Sequence, residues 1–213
     1  QLWIGSKPAP TKFMNTWKEK HTRLGFEYIF WNEEELKKRG MSLTLGEKIN
    51  SMEEINGKAD IIRWEILERY GGVFVDADSI CIEPVDDTLL KCKGGCFAGY
   101  EQENIRKGLI ATGTMGFPPN HLIVKRCIKW IRENPVSTAL TQQRAWYTVG
   151  PGLLTRIVND YKMHDQITIF PSYYFLPRHY SGIEYKGHEK VYAYQEWGST
   201  KQNYDTMNQL SLP

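Results

Sequence analysis

One run of nine residues, Tyr70–Asp78, limits the fold of this chain more than any other segment. It reads Tyr-Gly-Gly-Val-Phe-Val-Asp-Ala-Asp, so a glycine pair precedes an apolar stretch that ends in two acids one residue apart. Glycine after a helical pattern supplies the left-handed residue that ends a helix. The run therefore predicts a helix end, a tight turn and a buried strand, in that order.

The two acids of the run, Asp76 and Asp78, predict a metal–phosphate site. In an extended chain, side chains two residues apart share a face, which would place both acids beside Phe74. Carboxylates at the end of a buried strand repel each other and lose hydration, so they persist with a cation or a bonded ligand. Mg²⁺ and Mn²⁺ suit oxygen ligands and usually bind through one or two carboxylates plus substrate phosphates.

Composition excludes several classes of protein. The 213 residues suit one large domain, and a hydrophobic fraction of 41% is ample for a packed core. A net charge of +2 without a long basic run argues against a nucleic-acid surface. No stretch is long and apolar enough to span a bilayer, and no signal peptide opens the chain. These features predict a cytoplasmic protein.

The first half of the chain alternates strands and helices. Strands are predicted at Leu2–Ile4, at Phe26–Trp31 and in the run, and helices at Thr11–His21 and at Ile49–Tyr70, with a break near Gly57. This alternation predicts an α/β fold with a mainly parallel central sheet flanked by helices. Ligands in such sheets bind beyond the carboxyl ends of the strands, where the two acids fall.

The second half is less regular. Short strands are predicted at Gly95–Gly99 and Gly108–Gly113, and helices at His121–Arg132 and after the turn Gly150–Gly152. No repeat or linker interrupts the chain, which predicts a single domain over residues 1–213. The polar tail Lys201–Pro213 lacks core periodicity, so the domain could be cut from a longer chain.

Asp60 and Arg63 stand at i and i+3 of the helix before the run, so they can share one helix face. Two interpretations fit them. They could form a structural salt bridge, or Asp60 could accept hydrogen bonds from substrate hydroxyls while Arg63 faces a phosphate or a sugar. The guanidinium fork suits either task.

Five motifs, taken together, resemble one family. They are Trp3–Gly5, Lys58–Arg63, Tyr70–Asp78, Gly150–Gly152 and Glu196–Ser199. In this order they resemble the DXD sugar-transferase group, which contains the yeast initiation-specific mannosyltransferases and the clostridial glucosylating toxins. The length and the opening residues also resemble the N-terminal glycosyltransferase domain of a large chlorella-virus protein.

The resemblance implies a GT-A (Rossmann-like) fold and a hexosyltransferase activity. The donor would be a UDP-sugar, with UDP-glucose as the first guess, and the acceptor a glycan or a glycoprotein. Residues 1–113 would form the nucleotide-sugar half and residues 114–213 the acceptor-side half. A divalent cation, Mn²⁺ or Mg²⁺, would bridge the two phosphates and stabilise the departing diphosphate.

The resemblance also implies which residues contact the nucleotide-sugar. Trp3 would stack on the uracil, Asp60 and Arg63 would hold the donor sugar, and Asp76 would bridge ribose and sugar hydroxyls. The complete implied set is Trp3, Ile4, Asp60, Arg63, Phe74, Asp76 and Ala77.

For the metal, the resemblance implies Asp78, Glu196 and Ser199 as ligands. Relatives often carry a histidine around the closing segment, where this chain has Tyr194-Gln195-Glu196. The second protein ligand therefore stays open among Gln195, Glu196 and Ser199. Asp60, Asp76 and Asp78 form the implied catalytic group.

The stereochemistry of transfer is open in the sequence. The resemblance favours retention, but no nucleophile is identifiable. For inversion, several acids could act as the base: Asp60, Glu101, Glu103 and Asp205. His179 and His188 could contact an acceptor or a phosphate, although a loop histidine is more often a solvated surface residue.

Two other functions fit parts of the sequence. An apolar strand ending in Asp-x-Asp is also the signature of haloacid-dehalogenase-type phosphatases, in which Asp76 would be the nucleophile and Asp78 the general acid. That motif normally closes the first strand of its fold, whereas two predicted strands precede it here. The second alternative is a non-catalytic sugar-binding module, but such modules are mostly antiparallel β.

Overall fold

The computed structural model describes residues 1–212. Its helices are α1 (Thr11–Thr22), α2 (Glu33–Lys38), α3 (Gly46–Ser51), α4 (Ile55–Tyr70), α5 (Asp87–Leu90), α6 (Leu122–Glu133), α7 (Thr138–Thr141), α8 (Ala145–Thr148), α9 (Pro151–Asp160) and α10 (Gly198–Lys201). Its strands are β1 (Gly72–Val75), β2 (Ser79–Cys81), β3 (Phe97–Tyr100), β4 (Ile110–Phe117), β5 (Thr168–Phe170) and β6 (Ala193–Gln195). The α/β class is confirmed. Within the described range, no helix has both the length and the apolarity needed to cross a membrane.

The central sheet is mixed, with strand order β1-β4-β3-β5. Strands β3 and β5 are parallel, but β4 runs antiparallel to both of its neighbours. This corrects the predicted mainly parallel pairing. The physical reason is the connection between β3 and β4: it contains no helix, so the chain returns beside β3 in the opposite direction. A second, two-stranded sheet pairs β2 with β6.

The two strands predicted in the first 31 residues are reduced to one parallel bridge, Leu2 with Trp31. The backbone N–H of Trp3 donates to the carbonyl oxygen of Trp31 at 2.9 Å, and the N–H of Trp31 donates to that of Gln1 at 2.8 Å. The two segments therefore meet as predicted, but over too few residues to form a ladder.

The helix predicted over Ile49–Tyr70 is two helices, which corrects the predicted break near Gly57. The chain is extended at Met52 and at Glu54, between α3 and α4. Gly57 lies inside α4, where a Cβ would come within 2.6 Å of Met52 Sδ and Ala145 Cβ. The glycine therefore permits close packing of α4 and does not interrupt it.

Predictions made from helix ends are confirmed. Helix α1 and helix α6 lie within one residue of their predicted bounds. Asn32 caps α2, since its side chain accepts a hydrogen bond from the N–H of Glu35 at 2.7 Å. Gly71 ends α4 with a φ of 62°, a left-handed conformation that glycine adopts without strain.

Helix α4 is central to the hydrophobic core and packs against β1, α6 and α8. Ile61, Trp64 and Leu67 are at most 1% exposed. The indole N–H of Trp64 donates to the carbonyl oxygen of Val149 at 2.7 Å. Because α4 is buried on most of its circumference, its polar residues are enclosed together with the apolar ones.

Candidate active site

Asp76 and Asp78 lie in the turn that connects β1 to β2. Asp76 still pairs with the sheet, since its N–H donates to the carbonyl oxygen of Gly113 in β4 at 2.7 Å. The N–H of Ser79 then donates to the carbonyl oxygen of Asp76 at 3.2 Å, which closes the turn. The strand predicted to run into the two acids ends at Val75, so the turn positions Asp78, and strand alternation does not.

Arg63 joins helix α4 to this turn. One guanidinium nitrogen donates to Asp76 Oδ1 at 2.5 Å and lies 3.3 Å from Asp60 Oδ1. The other terminal nitrogen donates to the carbonyl oxygen of Thr112 at 2.5 Å, and the guanidinium carbon lies 4.7 Å from the ring centroid of Phe74. Asp60 and Arg63 are each 7% exposed. The Asp60–Arg63 pair is thus a buried salt bridge that extends to Asp76.

Gln195 links the two carboxylates of the turn. It belongs to β6, opposite Ser79 in β2. Its Nε2 donates to Asp78 Oδ1 at 2.6 Å and to Asp76 Oδ2 at 3.2 Å. The backbone N–H of Gly198 donates to Asp78 Oδ2 at 2.7 Å. The buried Asp78 carboxylate is therefore held by two neutral donors.

Burial raises the pKa of all three acids in this cluster. Desolvation raises the pKa of Asp60 to about 6, although the Arg63 charge opposes the shift. Desolvation, and next the charge of Asp76, raise the pKa of Asp78 to about 7. Desolvation also raises the pKa of Asp76 against the charge of Arg63. A bound cation would stabilise the ionised forms.

The surroundings of Asp78 fit a divalent-cation ligand. Across residues 1–212, no Lys, Arg or His side chain forms an ion pair with its carboxylate, whereas Asp76 is paired with Arg63. The same residues contain no group of three His, Cys, Asp or Glu side chains that could hold a metal ion alone. Mg²⁺-type ions commonly bind through one or two carboxylates and complete their shell with water and substrate phosphates.

Trp3 lies at the same corner of the molecule as Asp78. Its ring meets Tyr204 edge to face, with centroids 4.8 Å apart, and its indole N–H donates to the carbonyl oxygen of Lys7 at 2.7 Å. The Tyr204 hydroxyl is 3.0 Å from Ser199 Oγ. Desolvation first, and then the nearby Asp78 charge, raise the pKa of Tyr204. The structure thus brings Trp3 and Ser199 next to the acid turn.

Glu196 meets Asp78 through its backbone. Its N–H donates to the carbonyl oxygen of Asp78 at 3.0 Å, while its carboxylate pairs with Lys201 Nζ at 3.2 Å. Among the three side chains considered as a second metal ligand, Gln195 is therefore the one in direct contact with the Asp78 carboxylate.

The remaining nucleotide-sugar candidates differ in exposure. Phe74 is 4% exposed and belongs to the main hydrophobic core, beneath the Arg63 guanidinium. Ala77 is buried within the turn at 6% exposure. Ile4 is half-buried and packs against the same core. Ile4 follows Trp3 directly in sequence, so the two residues share one segment of chain.

Among the described residues, three of the other candidates form no hydrogen bond or ion pair with Asp76 or Asp78. Glu103 accepts hydrogen bonds from the backbone N–H of Ser172 at 2.8 Å and from its hydroxyl at 2.5 Å. Asp205 forms a surface ion pair with Lys7 at 2.7 Å. His188 is exposed.

Glu101 and His179 are buried together. They are 6% and 2% exposed, and Glu101 Oε1 lies 3.6 Å from His179 Nε2. Desolvation raises the pKa of Glu101 against the charge of Arg106, and desolvation lowers the pKa of His179. His179 is therefore not the solvated loop histidine that its sequence context favours.

Comparison with known proteins gives matches of three kinds. Residues 10–93 match a family model described as "Glycosyltransferase sugar-binding region containing DXD motif". A protein of Acanthamoeba polyphaga mimivirus, named as an uncharacterized glycosyltransferase, is 25% identical over 144 residues, which cover 64% of this chain and 56% of that protein. The chain thus spans little more than half of that relative's length. The solved structure of the PaToxG glycosyltransferase superposes with a TM-score of 0.51 at 12% identity, covering 76% of this chain and 67% of that one.

Part of the chain, residues 10–93, is thus similar to the sugar-binding region of DXD-type glycosyltransferases. The matches confirm the resemblance to DXD sugar transferases, and the solved structure shares the α/β fold. The matched range includes Asp60, Arg63 and the Asp76–Asp78 turn but ends well before Gln195. The contacts that Gln195 and Gly198 make with the acid turn therefore lie outside the part of the chain that the family model covers.

Two glycines of the site had weak or no signals in the sequence. Gly113 belongs to β4, and a Cβ there would come within 3.0 Å of Asp76 Oδ2. Gly198 contributes a backbone N–H to Asp78, a contact that no side-chain pattern reveals. The resemblance of Glu196–Ser199 to the closing motif of the family is the sequence signal that pointed to this segment.

Proposed function

We propose that this domain uses Mn²⁺ or Mg²⁺ to transfer a hexose from a UDP-sugar to a glycan or protein acceptor, with UDP-glucose as the first donor to test. The observation that carries the proposal is the buried Asp78 carboxylate. It is fixed by Gln195 and Gly198 and has no ion-pair partner among the described residues. A cation that binds both this carboxylate and a diphosphate would neutralise the negative charge of Asp78.

Asp78 would hold the cation, and Gln195 is the side chain best placed to join it. Its amide nitrogen now faces both acids, and rotation of the amide would present Oε1 instead. Glu196 and Ser199 lie beside the turn and are the further candidates for the metal shell. When bound, the cation would act as a Lewis acid on the departing diphosphate.

Asp60, Arg63 and Asp76 would bind the donor sugar and ribose. A carboxylate with a pKa of about 6 is mostly ionised at pH 7, so Asp60 would accept hydrogen bonds from sugar hydroxyls. Arg63 fixes Asp76 Oδ1, which presets the direction of the second carboxylate oxygen. Preset acceptors of this kind lower the entropy lost when a sugar binds.

Trp3 would stack on the uracil, with Ile4 and Ala77 beside it and Phe74 supporting the nucleoside side from the core. Trp3 is held in place by its indole hydrogen bond and by Tyr204, so a stacking face would be oriented before binding. Under this proposal, residues 1–113 supply most of the donor site and residues 114–213 most of the acceptor side.

Calorimetric titration of UDP with and without Mn²⁺ tests the proposal. We expect binding that requires the cation and that is lost on addition of EDTA. Asp78→Asn should weaken Mn²⁺-dependent UDP binding by at least about tenfold, because it removes the charged ligand. Asp87→Asn is the matched control, since Asp87 is an exposed acid that pairs with Lys91 and, among the described residues, forms no ion pair or hydrogen bond with the acid turn.

Equal UDP affinity with Mn²⁺ and with EDTA would contradict the proposal. Cleavage of an aryl phosphate with Mg²⁺ that disappears in Asp76→Asn would instead support the phosphatase alternative. Incubation with UDP-glucose and other UDP-hexoses, followed by measurement of released UDP, identifies the donor. The anomeric proton of the product, observed by NMR, then gives the stereochemistry.

A further inference from the structure

Beside the proposed donor site lies a patch of three side chains, Trp146, Arg106 and Tyr180, called here the aromatic–arginine patch. The Arg106 guanidinium carbon lies 4.6 Å from the Trp146 ring centroid, and one of its terminal nitrogens donates to the Tyr180 hydroxyl at 3.2 Å. Trp146 is 36% exposed and Tyr180 is 40% exposed. Two aromatic side chains that contact the same guanidinium therefore both reach solvent.

The patch adjoins the acid cluster on one side through Trp197. The Trp197 ring meets Tyr180 edge to face at 5.2 Å. The next residue, Gly198, donates its backbone N–H to Asp78 Oδ2. One edge of the patch is therefore a single residue away from a direct contact with the proposed metal ligand.

The other side adjoins the acid cluster through Gly150. A Cβ at Gly150 would lie 2.7 Å from Asp60 Oδ2 and 3.2 Å from the Trp146 backbone. Gly150 thus separates the Trp146 main chain from a carboxylate proposed to bind the donor sugar. A ligand resting on the patch would be next to that sugar, where an acceptor has to be.

Glu101 and His179 support the patch from below. Arg106 Nε lies 3.3 Å from Glu101 Oε1, and the His179 ring centroid lies 4.1 Å from that of Tyr180. Within residues 1–212, Glu101 Oε1 and His179 Nε2 are buried without a hydrogen bond. The buried Glu101 carboxylate is instead paired with the Arg106 guanidinium, and its Oε1 lies 3.6 Å from His179 Nε2. Their position indicates that they orient Arg106 and Tyr180 toward solvent.

We propose that the aromatic–arginine patch is the acceptor subsite and that the acceptor is a saccharide. This inference rests on the proposed function, because it names the acceptor of the same reaction. Aromatic faces pack against the apolar faces of sugar rings, and a guanidinium fork can pair with neighbouring hydroxyls. Three side chains match a sugar of one or two rings, whereas a protein partner usually covers about 800 Å².

Saturation-transfer NMR with UDP and Mn²⁺ present tests this subsite directly. The probes are p-nitrophenyl glycosides of neutral hexoses, deoxyhexoses and pentoses, together with short peptides that contain Ser, Thr and Asn. We expect at least one glycoside to bind and the peptides not to bind. Trp146→Ala and Tyr180→Ala should each raise the dissociation constant of that glycoside by about tenfold or more, while the calorimetric UDP affinity stays within about twofold.

Tyr161→Ala is the matched control variant. Tyr161 is 51% exposed and also packs on an arginine, with the Arg126 guanidinium carbon 3.8 Å from its ring centroid. It stands at the far end of α9, about 15 Å along the helix from the Gly150 end. The variant removes an exposed tyrosine of similar chemistry, and we expect no change in glycoside binding.

Glu101→Gln tests the positioning role of the buried acid. It keeps the size of the side chain but removes the charge that orients Arg106. We expect the acceptor KM to rise by about fivefold or more while the donor KM stays unchanged. A merely structural role would lower the thermal midpoint and affect both substrates alike.

The outcomes separate this inference from the proposed function. Failure of the unaltered protein to bind UDP with Mn²⁺ would overturn both. If UDP binds but no glycoside does, or if Trp146→Ala and Tyr180→Ala bind glycosides as Tyr161→Ala does, the acceptor subsite alone is overturned. Transfer to a peptide and to no saccharide would overturn it as well.

Discussion

The carboxylate of Asp60 fills the space that Gly150 leaves open: a Cβ on Gly150 would lie only 2.7 Å from Asp60 Oδ2. We expect Gly150→Ala to displace Asp60 and to weaken UDP-sugar binding by about tenfold, with UDP itself bound nearly as before. Gly46→Ala is a suitable control, because nothing lies within 4 Å of a Cβ there. Titration of both nucleotides on both variants is the measurement, and equal losses in the two variants would refute the steric explanation.

Gln195→Glu should make folding depend on the metal. It would replace the neutral donor between Asp76 and Asp78 by a third acid, so that repulsion lowers the free energy of unfolding in EDTA. A divalent cation should restore stability and raise the thermal midpoint more than it does in the unaltered protein. Thermal unfolding with EDTA and with Mn²⁺ measures the difference. The same Mn²⁺ shift in both proteins would place Gln195 away from the metal.

Arg63→Met should be strongly destabilising. Arg63 stands between Asp60 and Asp76 in a buried environment, and removal of one partner from such an arrangement costs about 3–5 kcal/mol. Arg63→Lys keeps the charge but loses the fork that also reaches Thr112, so we expect a smaller loss. Urea unfolding of the two variants compares them. Equal stability of Arg63→Met and the unaltered protein would mean that the charges do not interact.

Asp60 should make the free energy of unfolding fall as the pH rises from about 4 to about 6. Its pKa is raised to about 6 in the folded chain, against about 4 when unfolded. The folded state therefore holds the proton over this range, and its stabilising effect is lost as the pH passes the folded pKa. The loss amounts to about 3 kcal/mol by linkage. Urea titrations at several pH values should show a flatter profile for Asp60→Asn, and identical profiles would exclude Asp60 as the source.

Trp3→Ala should weaken UDP binding without loss of the fold. Stacking of a base on an aromatic ring contributes about 1–3 kcal/mol in single-stranded nucleic-acid sites, which corresponds to a factor of about 5–150. Trp3→Phe keeps a stacking face and serves as the control, with a smaller expected loss. Calorimetry with uridine and with UDP separates the contribution of the base to the binding free energy from that of the phosphates. A loss for UDP but not for uridine would argue against stacking.

Local signals in the sequence predicted the helix boundaries that the structure shows. Gly71 at the end of α4 and Asn32 at the start of α2 are examples, because each acts on its own neighbouring backbone groups. Strand direction is not a local property. The antiparallel placement of β4 depends on a connection without a helix, and no residue within β4 encodes it.

The contacts of the candidate site also divide into local ones, which the sequence predicts, and long-range ones, which it does not. Asp60, Arg63 and Asp76 belong to neighbouring segments, and their association follows from the helix–glycine–strand order in the sequence. Gln195 lies 117 residues beyond Asp78 and reaches it through the pairing of β2 with β6. The sequence left this side chain as one of three alternatives, since only long-range strand pairing brings its amide to the two acids.

The β2–β6 pairing determines when, during synthesis of the chain, the proposed donor site can form. A chain still emerging from the ribosome can pack α4 against β1, but the Asp76–Asp78 turn cannot acquire Gln195 or Gly198 until β6 and α10 have been made, more than 100 residues later. Contacts of such large sequence separation also form late in folding, because loop closure is slow. Nucleotide-sugar binding would then require that synthesis has passed Gly198, so that chains stopped before this residue remain inert toward the donor.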